Sequence, residues 1–510
     1  MKYDFVIVGG GSTGCVLAAR LSEDPSRNVL LLEAGPDYPD VASMPPALSS
    51  GTFSPAENPE YLWHYVGTGT PLHRQQYPVI RGRVLGGSGS VNGANFTRNL
   101  PEDFDSWGSE LWAFEALLPF FRKLEADRDF GGDLHGTDGP IPVGRLPRDT
   151  WAPFHQVFYD NAIAVGHAEK QDLSNCEGSG VGPLPRNDST GIRVNSAIGY
   201  LNPARTRPNL TVWTDALTVR IGIEGRRATY VEATVGGELK RIHAGEVVLC
   251  AGAIESPHLL MLSGLGPADN LRALGIPVIE DIPGVGQNLT DHGAVDARWA
   301  PTPRRGPAHT AGAQACGLVY TAAGSPYRND MRLQPSAGYN AQSAGAVGGV
   351  QSDEKASVSL LLDRPTSFGH LELTSTDPTV VPNVDFRYLD TEFDIQRVCE
   401  AVRVCVEVVE HGDGGGVIAE RLAPLDSDLA TDATLRDWVL TNFRTAFHSC
   451  GTAKLGGSTD DQAVVDERCR VRGVDGLRVA DLSIMPVVGR GTMNPTAVMI
   501  GERVAALLSE

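Results

Sequence analysis

The sequence has no apolar run approaching the roughly 18–20 residues that a membrane-spanning helix needs. It has no basic excess either: 43 Lys and Arg stand against 62 Asp and Glu, for a net charge of −19. The first absence argues against a transmembrane segment, the second against nucleic acid and anionic lipid surfaces, which attract basic patches. Cysteine is scarce, with 8 in 510 residues and no Cys-x-x-Cys pair. No zinc or iron–sulfur ligand set is expected, so no metal site is assigned, and most thiols read as reduced and buried. No repeat recurs at a fixed period. Met1-Lys2-Tyr3-Asp4 lacks the basic segment and cleavage site of a leader, so the expected location is cytoplasmic. What remains is ordinary for a globular protein, 41% hydrophobic and 21% charged, with a length suited to two to four domains.

The first forty residues carry the strongest local pattern. Residues 4–8 read as an apolar strand, Cys15 to Leu21 as a helix and Asn28 to Leu32 as a second strand ending at Glu33. Between the first two lies Gly9-x-Gly11-x-x-Gly14, and Glu33 follows Gly14 by nineteen residues. That is the spacing of a dinucleotide-binding turn. Its glycines let the backbone approach a pyrophosphate, whose charge the helix N-terminus favours. Glu33 can accept hydrogen bonds from ribose hydroxyls. Gly10-x-Ser12-x-Gly14 also spells a hydrolase nucleophile elbow, but only eleven residues precede Ser12, too few for the strands that elbow requires.

A second Gly/Ser-rich loop, Arg81 to Asn95, suits close backbone approach to a large flat ligand. This loop resembles the first signature of the glucose–methanol–choline (GMC) flavoprotein oxidoreductases, and Gly252 to Gly266 resembles the second. Further stretches are similar to that family in the same order: Gly199 to Ala204, Arg207 to Val212, Val285 to His292, Phe447 to Thr452, Gly476 to Asp481 and Met493 to Ala497. The resemblance is to the short bacterial members, choline dehydrogenase-like or alcohol oxidase-like. It implies an α/β fold: a Rossmann-like FAD-binding domain with a discontinuous α+β substrate domain built on an antiparallel sheet. The implied division is 1–155 with 195–295 and 445–510 for FAD, and 156–194 with 296–444 for substrate.

The resemblance also implies site residues. Gly9, Gly11, Ser12, Thr13 and Gly14 form the pyrophosphate turn, and Glu33 with Ala34 holds the adenosine ribose. Val84, Gly86, Gly87, Asn92, Gly93 and Ala94 lie along the pyrophosphate and flavin edge. The adenine contact falls on Thr218 or, with a shift of one, Val219. Ala251, Ala480 and Asp481 border the cofactor, followed by Asn494, Pro495 and Thr496. Val91 stands where some relatives carry the histidine that binds FAD covalently, so non-covalent FAD is expected. The first signature departs from the family pattern near Asn99.

Oxidising an alcohol by hydride transfer requires removal of the hydroxyl proton and support for the oxygen left behind. The resemblance assigns these duties to His448 as base and Asn494 as alkoxide-stabilising partner, 46 residues apart. His292 reads as structural and Cys450 as a small hydrophobe. The expected enzyme belongs to the EC 1.1 class and acts on a primary or secondary alcohol, with dioxygen or a redox carrier as acceptor. The alternative is a non-redox, FAD-containing hydroxynitrile lyase of the same fold. A homo-oligomer is compatible with either.

In the second domain, residues 356–362 and 369–373 read as strands. Thr391-x-x-Asp394 begins a helix with an apolar stripe at Ile395, Val398, Val402, Cys405 and Val409, stopped by Gly412. Ala337 to Val350, rich in Gly and Ala, reads either as a loop over the pocket or as disorder without function.

Overall fold

Four-residue runs such as Val29 to Leu32, buried throughout, mark strands covered on both faces, as in a parallel sheet. In the computed structural model, which describes residues 2–51, 53–175, 177–302, 314–337 and 356–510, they form one. Lys2–Val8 lies between Val29–Leu32 and Glu238–Leu249, parallel to both. Leu210–Trp213 extends the sheet on one side and Leu477–Val479 pairs with Glu238–Leu249. An antiparallel meander, Ala216–Glu224 and Arg227–Val235, completes its seven strands. Glu238–Leu249 is long because its polar first half pairs with Arg227–Val235 while its apolar end runs beside Lys2–Val8. The first helix, Ser12–Leu21, starts three residues before the apolar pattern does, with Gly11 as its N-cap. It crosses the C-terminal helix Met493–Leu507 at Gly501, where an added Cβ would come 2.7 Å from Val16 Cβ.

The second large sheet also has seven strands, ordered Ile418–Ala423, Gly293–Pro301, Ala356–Leu362, Met331–Ala337, Cys316–Tyr320 and Gly180–Pro183, with Arg444–Thr445 paired to the start of Gly293–Pro301. Its neighbours are antiparallel. The expected boundaries at 295 and 444 fall inside two of these strands. A four-stranded sheet pairs Leu62–Thr68 and Gln76–Gly82 with His370–Glu372 and Asn383–Asp385. Glu392–Glu410 is the expected helix, its stripe from Ile395 to Val409 buried. Thr391 Oγ1 accepts from Asp394 N, but the Asp394 carboxylate leaves the cap for Thr366, Ser367 and Arg397.

Among the described cysteines, Cys15, Cys250, Cys316, Cys405, Cys450 and Cys469 are buried and Cys399 is half-buried, all as free thiols. No helix among the described residues is long and apolar enough to cross a membrane. Residues 338–350 of the Gly/Ala-rich run lie outside the described residues.

Candidate active site

The first strand ends at Gly9, whose φ of +100° and approach to the Cys250 carbonyl (2.5 Å from an added Cβ) leave no room for a side chain. A Cβ on Gly14 would lie 1.9 Å from Gly9 O, so the turn closes only on glycine. Gly11 differs: an added Cβ would meet nothing nearer than 3.9 Å. It faces Gly87 of the second loop, and Gly86 N donates to Gly10 O (2.7 Å), tying the two loops together. Between them opens a cleft of about 460 Å³. The Ser12–Leu21 helix enters it with no side-chain cap, so its first-turn N–H groups and the positive end of its dipole face the cleft. The Thr13 hydroxyl is turned away, donating to Ala497 O (2.8 Å).

Glu33 lines the cleft while bracing the turn: Oε2 accepts from Gly10 N and Oε1 from Gly35 N, each at 2.8 Å. Burial pushes its carboxyl up to about 7. Each oxygen keeps a lone pair for a ribose hydroxyl. An uncapped helix end for a diphosphate, a carboxylate for a ribose and an open wall at Gly11 fit FAD.

Gly9, Gly11, Ser12, Thr13, Glu33, Ala34, Gly87, Asn92, Gly93, Thr218, Ala251, Asp481, Asn494 and His448 all line this cleft. Gly14, Val84, Gly86, Ala94, Val219, Ala480, Pro495 and Thr496 stand behind it. Val84 packs on Leu48, Phe53 and Tyr61. Val219 falls at a register shift between its strand and the next, which aims Thr218 inward instead. Ala480 N extends the sheet by donating to Leu249 O (2.7 Å). Thr496 Oγ1 accepts from Asn99, the residue that departs from the family pattern; Asn99 is packed so close to Gly489 and Gly491 that neither could carry a side chain. Asp481 is bonded within the protein: Oδ2 accepts from Gly252 N (2.8 Å) and Ser256 Oγ (2.5 Å), and Oδ1 from Ser483 N (2.8 Å).

His448 follows Phe447, whose φ of +65° is left-handed. Its backbone N donates to Asp291 Oδ1 (2.6 Å), and Asp291 Oδ2 accepts from Tyr388 Oη and Thr445 Oγ1, each at 2.5 Å. Nδ1 of His448 lies 2.8 Å from Nδ1 of His292, with the rings nearly perpendicular. Nε2 of His292 bonds Gly489 O at 2.8 Å. Burial, with the positive charges of Arg332 and Arg81, pushes the His448 imidazole down to about 3. Asn494 is held at the other loop: its Nδ2 donates to Ser12 Oγ (2.8 Å). Gln334 Nε2 is buried on the cleft wall with no partner among the described residues.

Sequence reasoning did not single out Asp291, Arg81, Arg332, Gln334 or Arg193, a fully buried side chain that donates to Asn92 Oδ1. It placed His292 in the scaffold without its contact to His448. The Asp291-His292 pair inside Val285 to His292 was the available signal.

Two family models, both described as GMC oxidoreductase, match residues 3–294 and 365–501. The chain is 38% identical to an uncharacterised GMC-type oxidoreductase of Rhodococcus erythropolis, over 99% of this chain and 98% of the relative. It is 35% identical to oxygen-dependent choline dehydrogenase 1 of Chromohalobacter salexigens, over 99% and 94%. The crystal structure of pyridoxine 4-oxidase from Mesorbium loti superposes with a TM-score of 0.89 at 29% identity, covering 99% of this chain and 98% of that one. With both family models spanning most of its length, and its glycine loops and C-terminal histidine gathered on one cleft, the chain belongs to the GMC oxidoreductases.

Proposed function

We propose that the chain oxidises an alcohol to its carbonyl with non-covalently held FAD and with His448 as general base. The observation that carries this reading is the His448 imidazole in the wall of the cleft that two glycine loops form, held by Asp291 and His292. Bound FAD would supply the hydride acceptor, N5 of its ring system. The chain's residues do the rest. Burial, with the charges of Arg332 and Arg81, keeps His448 unprotonated at neutral pH, the form that can accept a hydroxyl proton. Arg81 and Arg332, whose charges act on His448, favour the negative charge that appears on the substrate oxygen. Asn494 gives one N–H to Ser12 Oγ and keeps the second for that oxygen. Gln334 Nε2, without a partner among the described residues, offers a donor to a polar substrate. Relatives named for choline and for pyridoxine support an alcohol as the substrate. Val91 lines the cleft without a nucleophile, which supports non-covalent attachment.

The test is anaerobic flavin reduction over a panel of alcohols. His448→Gln is expected to slow it by about 10²–10⁴-fold with FAD retained; equal bleaching rates in variant and parent would overturn the assignment. Asn494→Ala separates two roles for that amide. Slowed reduction with FAD retained supports the alkoxide role, and loss of FAD assigns Asn494 to the Ser12 turn.

A further inference from the structure

We propose that His292 is a positioning residue that fixes which nitrogen of His448 carries the proton, leaving Nε2 bare as the proton acceptor. The inference rests on the reading of His448 as base. The Gly489 carbonyl can only accept, so Nε2 of His292 carries a hydrogen. A neutral imidazole has one N–H, so Nδ1 of His292 is a lone pair. It lies 2.8 Å from Nδ1 of His448. Two lone pairs do not face each other at that distance, so the hydrogen between them belongs to His448 Nδ1. Nε2 of His448 is then unprotonated, and it has no partner among the described residues.

Burial first, and then the neighbouring positive charges, keep the pair neutral. His292 is fully buried, and its own protonation is pushed well down by burial, by His448 and by Arg332. The carboxylate that comes near, Asp363, has its Oδ1 3.8 Å from His292 Nδ1 but 2.9 Å from Arg332 Nη2, which takes its charge. Asp291 faces the His448 backbone and hydroxyls of Tyr388 and Thr445 rather than either ring. Arg81 donates to the Phe447 carbonyl one residue before the base. Two consecutive residues therefore hold His448: Asp291 its main chain, His292 its ring. In a serine-protease triad a carboxylate fills the ring-holding place and also stabilises the imidazolium. A neutral imidazole orients the base without raising its proton affinity as a carboxylate would. When Nε2 takes the substrate proton, the imidazolium keeps its Nδ1–H bond to His292, so proton and charge stay on His448.

The experiment uses the FAD-loaded enzyme and two variants. His292→Asn places an amide oxygen near the former Nδ1 and keeps an acceptor; His292→Leu removes it. His292→Leu is expected to lower the limiting rate of anaerobic flavin reduction by on the order of 10²-fold without changing substrate saturation. His292→Asn should recover the rate to within about tenfold of the parent. Nitrogen-15 spectra of histidine-labelled enzyme supply a readout independent of turnover. The His448 signals, identified as those lost in His448→Gln, should show a protonated Nδ1 and a bare Nε2 in the parent, and a mixture of tautomers in His292→Leu. A protonated Nε2 in the parent, or equal rates for the Leu and Asn variants, would overturn the proposal. If His448→Gln reduces flavin as fast as the parent, the base assignment fails instead, and the spectra still read the tautomer. If His292→Leu loses FAD, the parent spectrum and the Asn variant decide.

Discussion

Gly11 and Gly14 belong to one motif yet constrain different things. At Gly14 a methyl group would collide with the Gly9 carbonyl, part of the backbone itself, so the turn has nowhere to move. At Gly11 the same methyl would enter open cleft. Gly14→Ala is therefore expected to destabilise the protein by about 3 kcal/mol, seen as a lowered melting temperature of the apoprotein. Gly11→Ala should leave that melting temperature unchanged and weaken FAD binding by about tenfold or more, near 1.4 kcal/mol, measured by titrating apoprotein with FAD. Similar melting temperatures for the two variants would contradict the distinction. The motif spacing alone does not separate these roles, since both positions read simply as glycine.

Glu392–Glu410 shows how an element depends on a residue that its helical pattern leaves unexplained. Burial of its apolar stripe seats it, as the 3.6-residue period implies. Asp394 is fully buried, however, and it accepts from Thr366 N, Ser367 N and both their hydroxyls while pairing with Arg397. Arg397 in turn reaches Asp330 Oδ2 at 2.7 Å, so the helix start, the 366–367 turn and Asp330 share one buried ion cluster. Asp394→Ala would strand part of a buried guanidinium and orphan two backbone N–H groups. A loss of about 3–5 kcal/mol is expected in urea unfolding, and Asp394→Asn should lose less because it keeps one acceptor oxygen. Near-equal unfolding midpoints for Asp394→Ala and the parent would show that the cluster contributes little.

Across the whole molecule, a second ion cluster gives stability a pH dependence separate from catalysis. His135 bonds Glu125 Oε1 and Asp172 Oδ2, each at 3.0 Å, with Asp127 Oδ2 at 3.3 Å and Arg145 and Arg98 on the outer sides of the carboxylates. Burial lowers its proton affinity, but the three carboxylates outweigh burial and raise it to about 10. A histidine raised in the folded state contributes stability that is fully present below about pH 6.5, still substantial at neutrality, and lost as pH rises through about 10. His135→Gln is expected to cost about 3 kcal/mol near pH 7, with the gap to the parent narrowing near pH 11 in thermal melts. A gap that stays constant across that range would rule out the charged histidine.

The part of the fold and site that is legible along the chain is local. The glycine turn, its flanking strands, the acid at the end of the second strand and the stripe of Glu392–Glu410 follow from backbone sterics and side-chain period, which act within a few residues. The family signatures added His448, because the stretch that carries it is contiguous. Which groups meet follows from the way the chain closes on itself: His292 against a ring 156 positions away, Asp481 bonded to Ser256 and Gly252, and residues 62–82 joined in one sheet with 370–385. Those contacts depend on how distant strands register and close, and a short hydrogen bond between two imidazoles leaves no period or spacing in the chain from which it could be read.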